Sequence, residues 1–315
     1  MTGTRAVIGV DVGGTTTAAG LVGADGGVLA HLQAATHGRG PGGALATLLD
    51  LLEQIATLAK GRGIEPSAIG IGVPGTVDAE TGIIGAETHY VPDLAHVPLG
   101  ATVNRRMGLP AFVDNDVNAL ALGEWMFGAG RGAASLVLLA LGTGVGGGII
   151  LEGRLVRGRG GYGGELGHVP IDFDGRPCIC GGRGCLKTYV SGTDIALEGS
   201  RRLGREATAP EVFRLAAAGD AVAEALVAEV CAALGAGLAV IVNGLNPERL
   251  LLAGGVAESL RPLETRIRAA CAGHAFAGAC ATTAMEIISL DKGSAVRGGA
   301  ALAHYEIHRR EGARA

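Results

Sequence analysis

The sequence predicts an α/β protein of two similar lobes around a shared cleft. Three observations lead there. The chain has 315 residues, enough for two domains with a sizeable core each. A unit of strand, glycine turn with threonine, and strand occurs twice, as VIGVDVGGTTTAAGLV at 7–22 and LVLLALGTGVGGGIIL at 136–151. Around these units, short apolar runs alternate with apolar residues at helical spacing, the pattern of α/β folds.

In the first unit Val7, Ile8 and Val10 predict a strand, Gly13-Gly14 a turn, Ala18 to Val22 a returning strand, and Asp25-Gly26 a hairpin turn. The bare amides of Gly13 and Gly14 and the hydroxyls of Thr15 to Thr17 suit a phosphate; an ordinary hairpin is the alternative. Asp11 ends the strand, placed to reach a phosphate-bound cation or its water. Leu45, Leu48, Leu49, Leu52, Ile55 and Leu58 predict a helix, and Ala68 to Val73 a strand ending at Pro74-Gly75. Ala111 to Val113 predicts a strand running into Asp114-Asn115-Asp116, and Asn118 to Phe127 a helix. Asn115 and Asp116 thus fall between a strand's carboxyl end and a helix start, where α/β folds bind ligands. A carboxylate there can take a proton from a substrate hydroxyl and an amide can fix that substrate; a plain helix N-cap is the alternative.

The second unit has strands at Leu136 to Leu141 and Gly148 to Leu151 around Gly142-Thr143-Gly144. Further on, Thr193 is placed to cap a helix over Ile195 to Leu203, Leu215 lies in another helix, and Ala221 to Val242 reads as a long buried helix interrupted by Glu224 and Glu229. It is not read as a membrane span. Arg249 to Leu252 predicts a strand before Ala253-Gly254-Gly255, whose glycines let a base or ribose approach the backbone. A helix over Val256 to Ala270, a strand over Ile287 to Leu290 and a helix over Ser294 to Ile307 complete the chain; Gly298-Gly299 in the last helix permits close packing.

The net charge of −4 shows no basic stripe, so nucleic acid is not an expected partner. The N-terminus lacks the apolar run of a signal peptide, no membrane partner is expected, and six cysteines in 315 residues do not make a disulfide scaffold. A cytoplasmic location is the expectation. Three of those cysteines crowd into GGELGHVPIDFDGRPCICGGRGC at 163–185. With His168, Cys178, Cys180 and Cys185 make a Cys₃His set for tetrahedral zinc; free core thiols are the alternative. Glu165 puts a carboxylate on the same loop.

The motifs DVGGT at 11–15, GVPG at 72–75, NDVNA at 115–119, LGTGVGGG at 141–148, GELGH at 164–168, C-x-C-G-G-x-G-C at 178–185 and AGG at 253–255 together resemble the ROK family of sugar kinases and repressors, in the family's order and across nearly the whole chain. The resemblance implies a two-lobed, actin-like (hexokinase/ribonuclease H-like) ATPase fold. Its lobes would be 1–117 with 297–315, and 118–296, the last helix crossing back to the first lobe. Ten residues precede Asp11, so the DNA-binding domain of the repressor branch is not expected and the kinase branch is the better match.

The implied activity is ATP-dependent phosphorylation of a hexose, glucose foremost, as in a glucokinase. Asp116 would be the general base, and Gly75, Asn115, Glu165, His168 and Lys187 would contact the sugar. Asp11, Gly13, Gly14, Thr15, Thr143 and Gly144 would surround the ATP phosphates and Mg²⁺, with Gly254 and Gly255 near adenosine. His168 would bind sugar with one ring nitrogen and a structural zinc with the other. A homodimer or homotetramer is implied. Two departures stand out: the family's GCLE reads GCLK here, with Lys187, and its Asn-Leu pair before the NDxN motif reads Asp93-Leu94, without the following tryptophan. These keep N-acetylmannosamine, N-acetylglucosamine, fructose, allose and acidic sugars open as substrates, beside a sugar-responsive regulator without catalysis.

Overall fold

The computed structural model describes residues 6–40, 42–88 and 90–312. The first part of the chain runs β1 (Val7–Val12), β2 (Thr16–Val22), β3 (Val28–Ala35), α1 (Ala44–Gly61), β4 (Ile69–Val73), the short pair β5 (Val77–Asp78) and β6 (Ile83–Ile84), α2 (Leu99–Met107), β7 (Ala111–Asn115) and α3 (Asp116–Phe127). There follow β8 (Leu136–Leu141), β9 (Val145–Leu151), β10 (Arg154–Leu155), α4 (Lys187–Val190), α5 (Gly192–Leu203), α6 (Ala209–Ala217) and α7 (Ala221–Leu245). The chain closes with β11 (Arg249–Ala253), α8 (Gly255–Leu260), α9 (Glu264–Ala272), α10 (Ala277–Thr282), β12 (Ala284–Ile287) and α11 (Ser294–Gly312).

The repeat extends beyond the two hairpins to whole sheets. One sheet has the order β3-β2-β1-β4-β7 and the other β10-β9-β8-β11-β12. In each, an antiparallel three-strand meander continues through two parallel strands: β1–β4–β7 in the first, β8–β11–β12 in the second. The parallel strands all run toward the glycine turns, so the carboxyl ends of both sheets carry the ligand-competent loops.

Each sheet has an outer core. Leu48, Leu52 and Ile55 of α1 pack on Ile8, Leu21 and Ile71, while Leu226, Val230, Leu234 and Leu238 of α7 pack with Leu139, Leu250 and Leu252. Helix α7 is long and apolar enough to cross a membrane, yet 67% of its most apolar window is buried inside the protein, so its hydropathy serves the core. A third core joins the halves: Ala119 and Leu122 of α3, Leu136 and Leu138 of β8, and Val296, Ala300 and Leu302 of α11 are fully or almost fully buried together. Helix α11 does cross back onto the first sheet. There Gly9 and Gly70 let the helix backbone come down on the strands, since a Cβ at Gly70 would lie 1.9 Å from the Gly299 carbonyl oxygen.

Three expectations need correction. The helix expected over 256–270 breaks into α8, a 3₁₀ turn at Arg261–Leu263 and α9, because Pro262 lacks the amide a continuous helix needs. The last strand is Ala284–Ile287 and not 287–290: its register against β11 starts at Arg249↔Ala284 and ends at Leu252↔Ile287. The cap of α5 is Ser191, whose Oγ accepts from Asp194 N at 3.1 Å; Thr193 lies inside the helix. Strand β3 and helix α2 are further elements, beyond those the sequence pattern predicts.

Candidate active site and metal centre

The two glycine turns are built alike. Gly13 N donates to Thr16 O at 3.0 Å, and Gly142 N to Gly144 O at 3.0 Å, closing both hairpins. The first turn is braced by a residue without any motif: Thr36, just after β3, donates to Gly13 O at 2.6 Å and shares a 3.0 Å hydroxyl contact with Thr17. Thr17 is fully buried in that contact, so only Thr15 and Thr16 are exposed at the turn. The second turn rests on the start of α5, where Gly192 N donates to Gly142 O at 2.8 Å and Thr193 N to Thr143 O at 3.3 Å. Gly254 stands beside it with φ +100°, and a Cβ there would lie 2.5 Å from Leu141 O, so only glycine fits at the head of α8. The two turns are close to each other. A Cβ at Gly14 would be 3.0 Å from Tyr90 Cβ, and one at Gly144 would be 3.2 Å from Tyr90 Oη. Tyr90, half exposed, thus spans the gap between them, and no local sequence pattern announces it.

Beside the first turn the strand ends gather carboxylates. Asp11 pairs with Gly72 across β1 and β4, and a Cβ at Gly72 would lie 3.1 Å from Asp116 Cα. Burial, and then the charge of Asp116, pushes the Asp11 carboxyl up to about 7. Burial likewise pushes Asp116 up to about 6, with Glu165 adding to the rise against the hydrogen bond from Val117 N. Glu165, just before the 3₁₀ turn Leu166–His168, is raised by burial and by Glu87. Asp11, Asp116 and Glu165 therefore form one electrostatic cluster drawn from both sheets.

Asn115 is the N-cap of α3. Its Oδ1 accepts from Val117 N at 2.9 Å and Asn118 N at 3.1 Å, which caps α3 and uses that oxygen fully. Its Nδ2 donates to Gly75 O at 3.1 Å, leaving one N–H for a ligand. Gly75 has φ +95°, and a Cβ there would lie 2.3 Å from Glu87 O, so this glycine sets the position of Asn115. At the departure Asp93-Leu94, Asp93 Oδ2 accepts from Ala44 N at 3.0 Å at the start of α1, and Leu94 is fully buried. Lys187 opens α4, and its Nζ pairs with Asp194 at 3.1 Å.

The ligand atoms of His168, Cys178, Cys180 and Cys185 all lie within 4.8 Å of one another. Cys178 Sγ is 3.4 Å from His168 Nδ1, and Cys180 Sγ is 3.7 Å from Cys185 Sγ. Zinc–sulfur and zinc–nitrogen bonds of about 2.3 and 2.0–2.1 Å in a tetrahedron require edges of about 3.8 and 3.5 Å, so the four side chains fit the ion. A backbone turn holds the cysteines, with Cys178 N donating to Gly182 O at 2.9 Å and Gly181 N to Cys178 O at 3.0 Å. The amide of Gly182 lowers the pKa of the Cys180 thiol, which favours the thiolate a metal needs.

With this geometry in place, similarity to known proteins is informative. The model of the ROK family matches residues 7–306. A glucokinase from Thermotoga maritima is 37% identical over 267 residues, covering 80% of this chain and 83% of that protein. The crystal structure of a ROK hexokinase from Thermus thermophilus superposes with a TM-score of 0.84 at 32% identity, over 96% of this chain and 99% of that one. A ROK family glucokinase from Streptomyces griseus, solved in complex with glucose and AMPPNP, superposes with a TM-score of 0.74 at 31% identity, over 95% and 99%.

Proposed function

This chain belongs to the ROK family, and from that premise we propose that it transfers the γ-phosphoryl group of ATP to a hydroxyl of a hexose, glucose foremost, with Asp116 as general base. The protein is an ATP-dependent sugar kinase of the two-lobed fold. The observation that carries the assignment of the base is the position of Asp116, at the head of α3 in the carboxylate cluster, with a carboxyl raised to about 6. A base with that value is ionised at neutral pH and still holds a proton better than an ordinary aspartate.

In this reading the sugar hydroxyl gives its proton to Asp116 while its oxygen attacks the γ-phosphorus. The bond from that phosphorus to the β–γ bridging oxygen breaks, and ADP leaves with the electron pair. Asn115 contributes its remaining N–H, Glu165 accepts from ring hydroxyls, and Gly75 holds Asn115 in place. The backbone of Gly13, Gly14, Thr15, Thr143 and Gly144 cradles the phosphates, and Gly254 and Gly255 let the adenosine approach α8. Asp11 is the carboxylate set to hold Mg²⁺, which neutralises charge on the β- and γ-phosphates when bound. His168 Nδ1 with Cys178, Cys180 and Cys185 would hold a structural zinc, which would fix the loop that carries Glu165 and leave His168 Nε2 for the sugar. We place the lobe boundaries at 117/118 and 296/297, and the protein in the cytoplasm as a homodimer or homotetramer.

The test is ADP release with Mg-ATP across glucose, fructose, allose, N-acetylated hexosamines and sugar acids. Glucose should give the highest kcat/KM. A higher value for another sugar moves the substrate, and no ADP release with any of them overturns the reading.

A further inference from the structure

Arg157 follows β10 of the second sheet, yet its side chain ends in the first. Its Nε donates to Asp114 Oδ2 at 2.6 Å on β7, and its Nη2 to Glu306 Oε1 at 2.6 Å on α11. All three side chains are withdrawn from solvent, with 17%, 3% and 2% exposure. Asp114 in turn holds the start of α3, because its Oδ1 accepts from Asn115 N at 2.7 Å and from Asn118 Nδ2 at 2.9 Å. The other end of the Arg157 loop is the sugar loop. Arg157 O accepts from Gly163 N at 2.7 Å, two residues before Glu165. Asn118, 2% exposed, points a buried Oδ1 with no hydrogen-bond partner at this loop, 3.7 Å from where a Cβ on Gly164 would sit.

A buried ion cluster is weak evidence of stability, since desolvation offsets most of its attraction. Its use here is geometric. The planar guanidinium is a rigid fork, and it fixes three elements from both halves of the chain at once. We propose that Arg157 is a positioning residue for the sugar-kinase reaction: it sets the distance between the loop bearing Glu165 and His168 and the β7–α3 junction bearing Asn115 and Asp116, and so selects for correct sugar placement. This rests on the kinase reading above. The phosphate turns at 13–15 and 142–144 hang on the β1–β2 and β8–β9 hairpins and do not touch Arg157, so the sugar site and not the nucleotide site depends on it.

The test compares Arg157→Lys and Glu306→Gln with the wild type in steady-state kinetics, varying glucose and ATP separately, with thermal unfolding of each. Lysine keeps the charge and loses the fork; Glu306→Gln loosens one anchor and leaves Asp114 paired, so it remains informative where the lysine variant fails to fold. The expected result is a glucose KM raised about tenfold or more in Arg157→Lys and by less in Glu306→Gln, a lower kcat, and an ATP KM within about twofold of wild type. An unchanged glucose KM in folded variants overturns the proposal, as does a parallel rise of both KM values that tracks the loss of thermal stability. Wild-type protein without glucose turnover instead refutes the kinase reading, so the two failures are distinct.

Discussion

Lys187 Nζ lies 3.1 Å from Asp194 Oδ2 at the start of α5, and the same carboxylate is hydrogen-bonded to Ser191 Oγ. The lysine that replaces the family glutamate is thus neutralised by its own neighbour. Gly192, between Ser191 and Asp194, hydrogen-bonds the second glycine turn, so this ion pair also braces that turn. Lys187→Glu alone would set two carboxylates against each other and should raise both glucose and ATP KM. Lys187→Glu with Asp194→Ala removes that repulsion. If position 187 reads the sugar, the double variant should change the ratios of kcat/KM among glucose, N-acetylmannosamine and a hexuronic acid, by about 1–3 kcal/mol where the group is desolvated. Identical ratios would mean that the pair is structural.

Asp116→Asn should lower kcat by about 10²–10⁴ and leave glucose affinity within about tenfold, because an amide keeps the shape and cannot take the proton. Near wild-type kcat would remove Asp116 from the role. The same substitution should leave thermal stability equal or higher at pH 8. The folded protein binds the Asp116 proton more tightly than an unfolded chain, about 6 against an ordinary 3.8, so this group's contribution to stability falls as pH rises between those values and the full cost is present above them.

The acid limb of kcat/KM for glucose should rise through about pH 6 as Asp116 ionises, with Asp11 titrating nearby at about 7. The two carboxylates influence each other, so the measured values belong to the pair. Saturating Mg²⁺ should move the limb to lower pH, because a cation on Asp11 favours the charged form of both. A profile that is flat from pH 5 to 8 contradicts this arrangement.

Metal analysis of the purified protein should find about one zinc per chain. Chelation, or Cys180→Ser, should lower stability and raise glucose KM, with a smaller effect on ATP, since the site holds the Glu165 loop. A metal-free protein that is folded and fully active would exclude the zinc role.

Gly70→Ala should cost about 3 kcal/mol, since its Cβ would meet the Gly299 carbonyl oxygen at 1.9 Å and both partners are backbone. Gly244→Ala, in the last turn of α7 with nothing within 4 Å, should instead stabilise by about 0.5–1 kcal/mol. An undiminished denaturation midpoint for Gly70→Ala would contradict the close α11 packing, and a lowered one for Gly244→Ala would contradict the open space at that position.

What the sequence by itself determined are features with local causes. Apolar period placed β1, α1, β8 and α7, glycine chemistry placed both turns, and the crowding of His168 with three cysteines marked a metal set, since each is decided by residues a few positions apart. Its repeat of strand, turn and strand even anticipated two sheets of equal topology. Tertiary structure alone decided the partners of long-range charge. Arg157 meets Asp114 and Glu306 across 43 and 149 residues of chain, Asp93 caps a helix 49 residues away, and Tyr90, which no pattern announces, lies between the two glycine turns. A lone arginine or aspartate carries no period, and its ion pair depends on which surfaces the folded sheets bring together and remove from water. The broken helix after Gly255 lies between these cases: Pro262 was visible in the sequence, but the apolar spacing around it argued for continuity, and the missing amide prevailed.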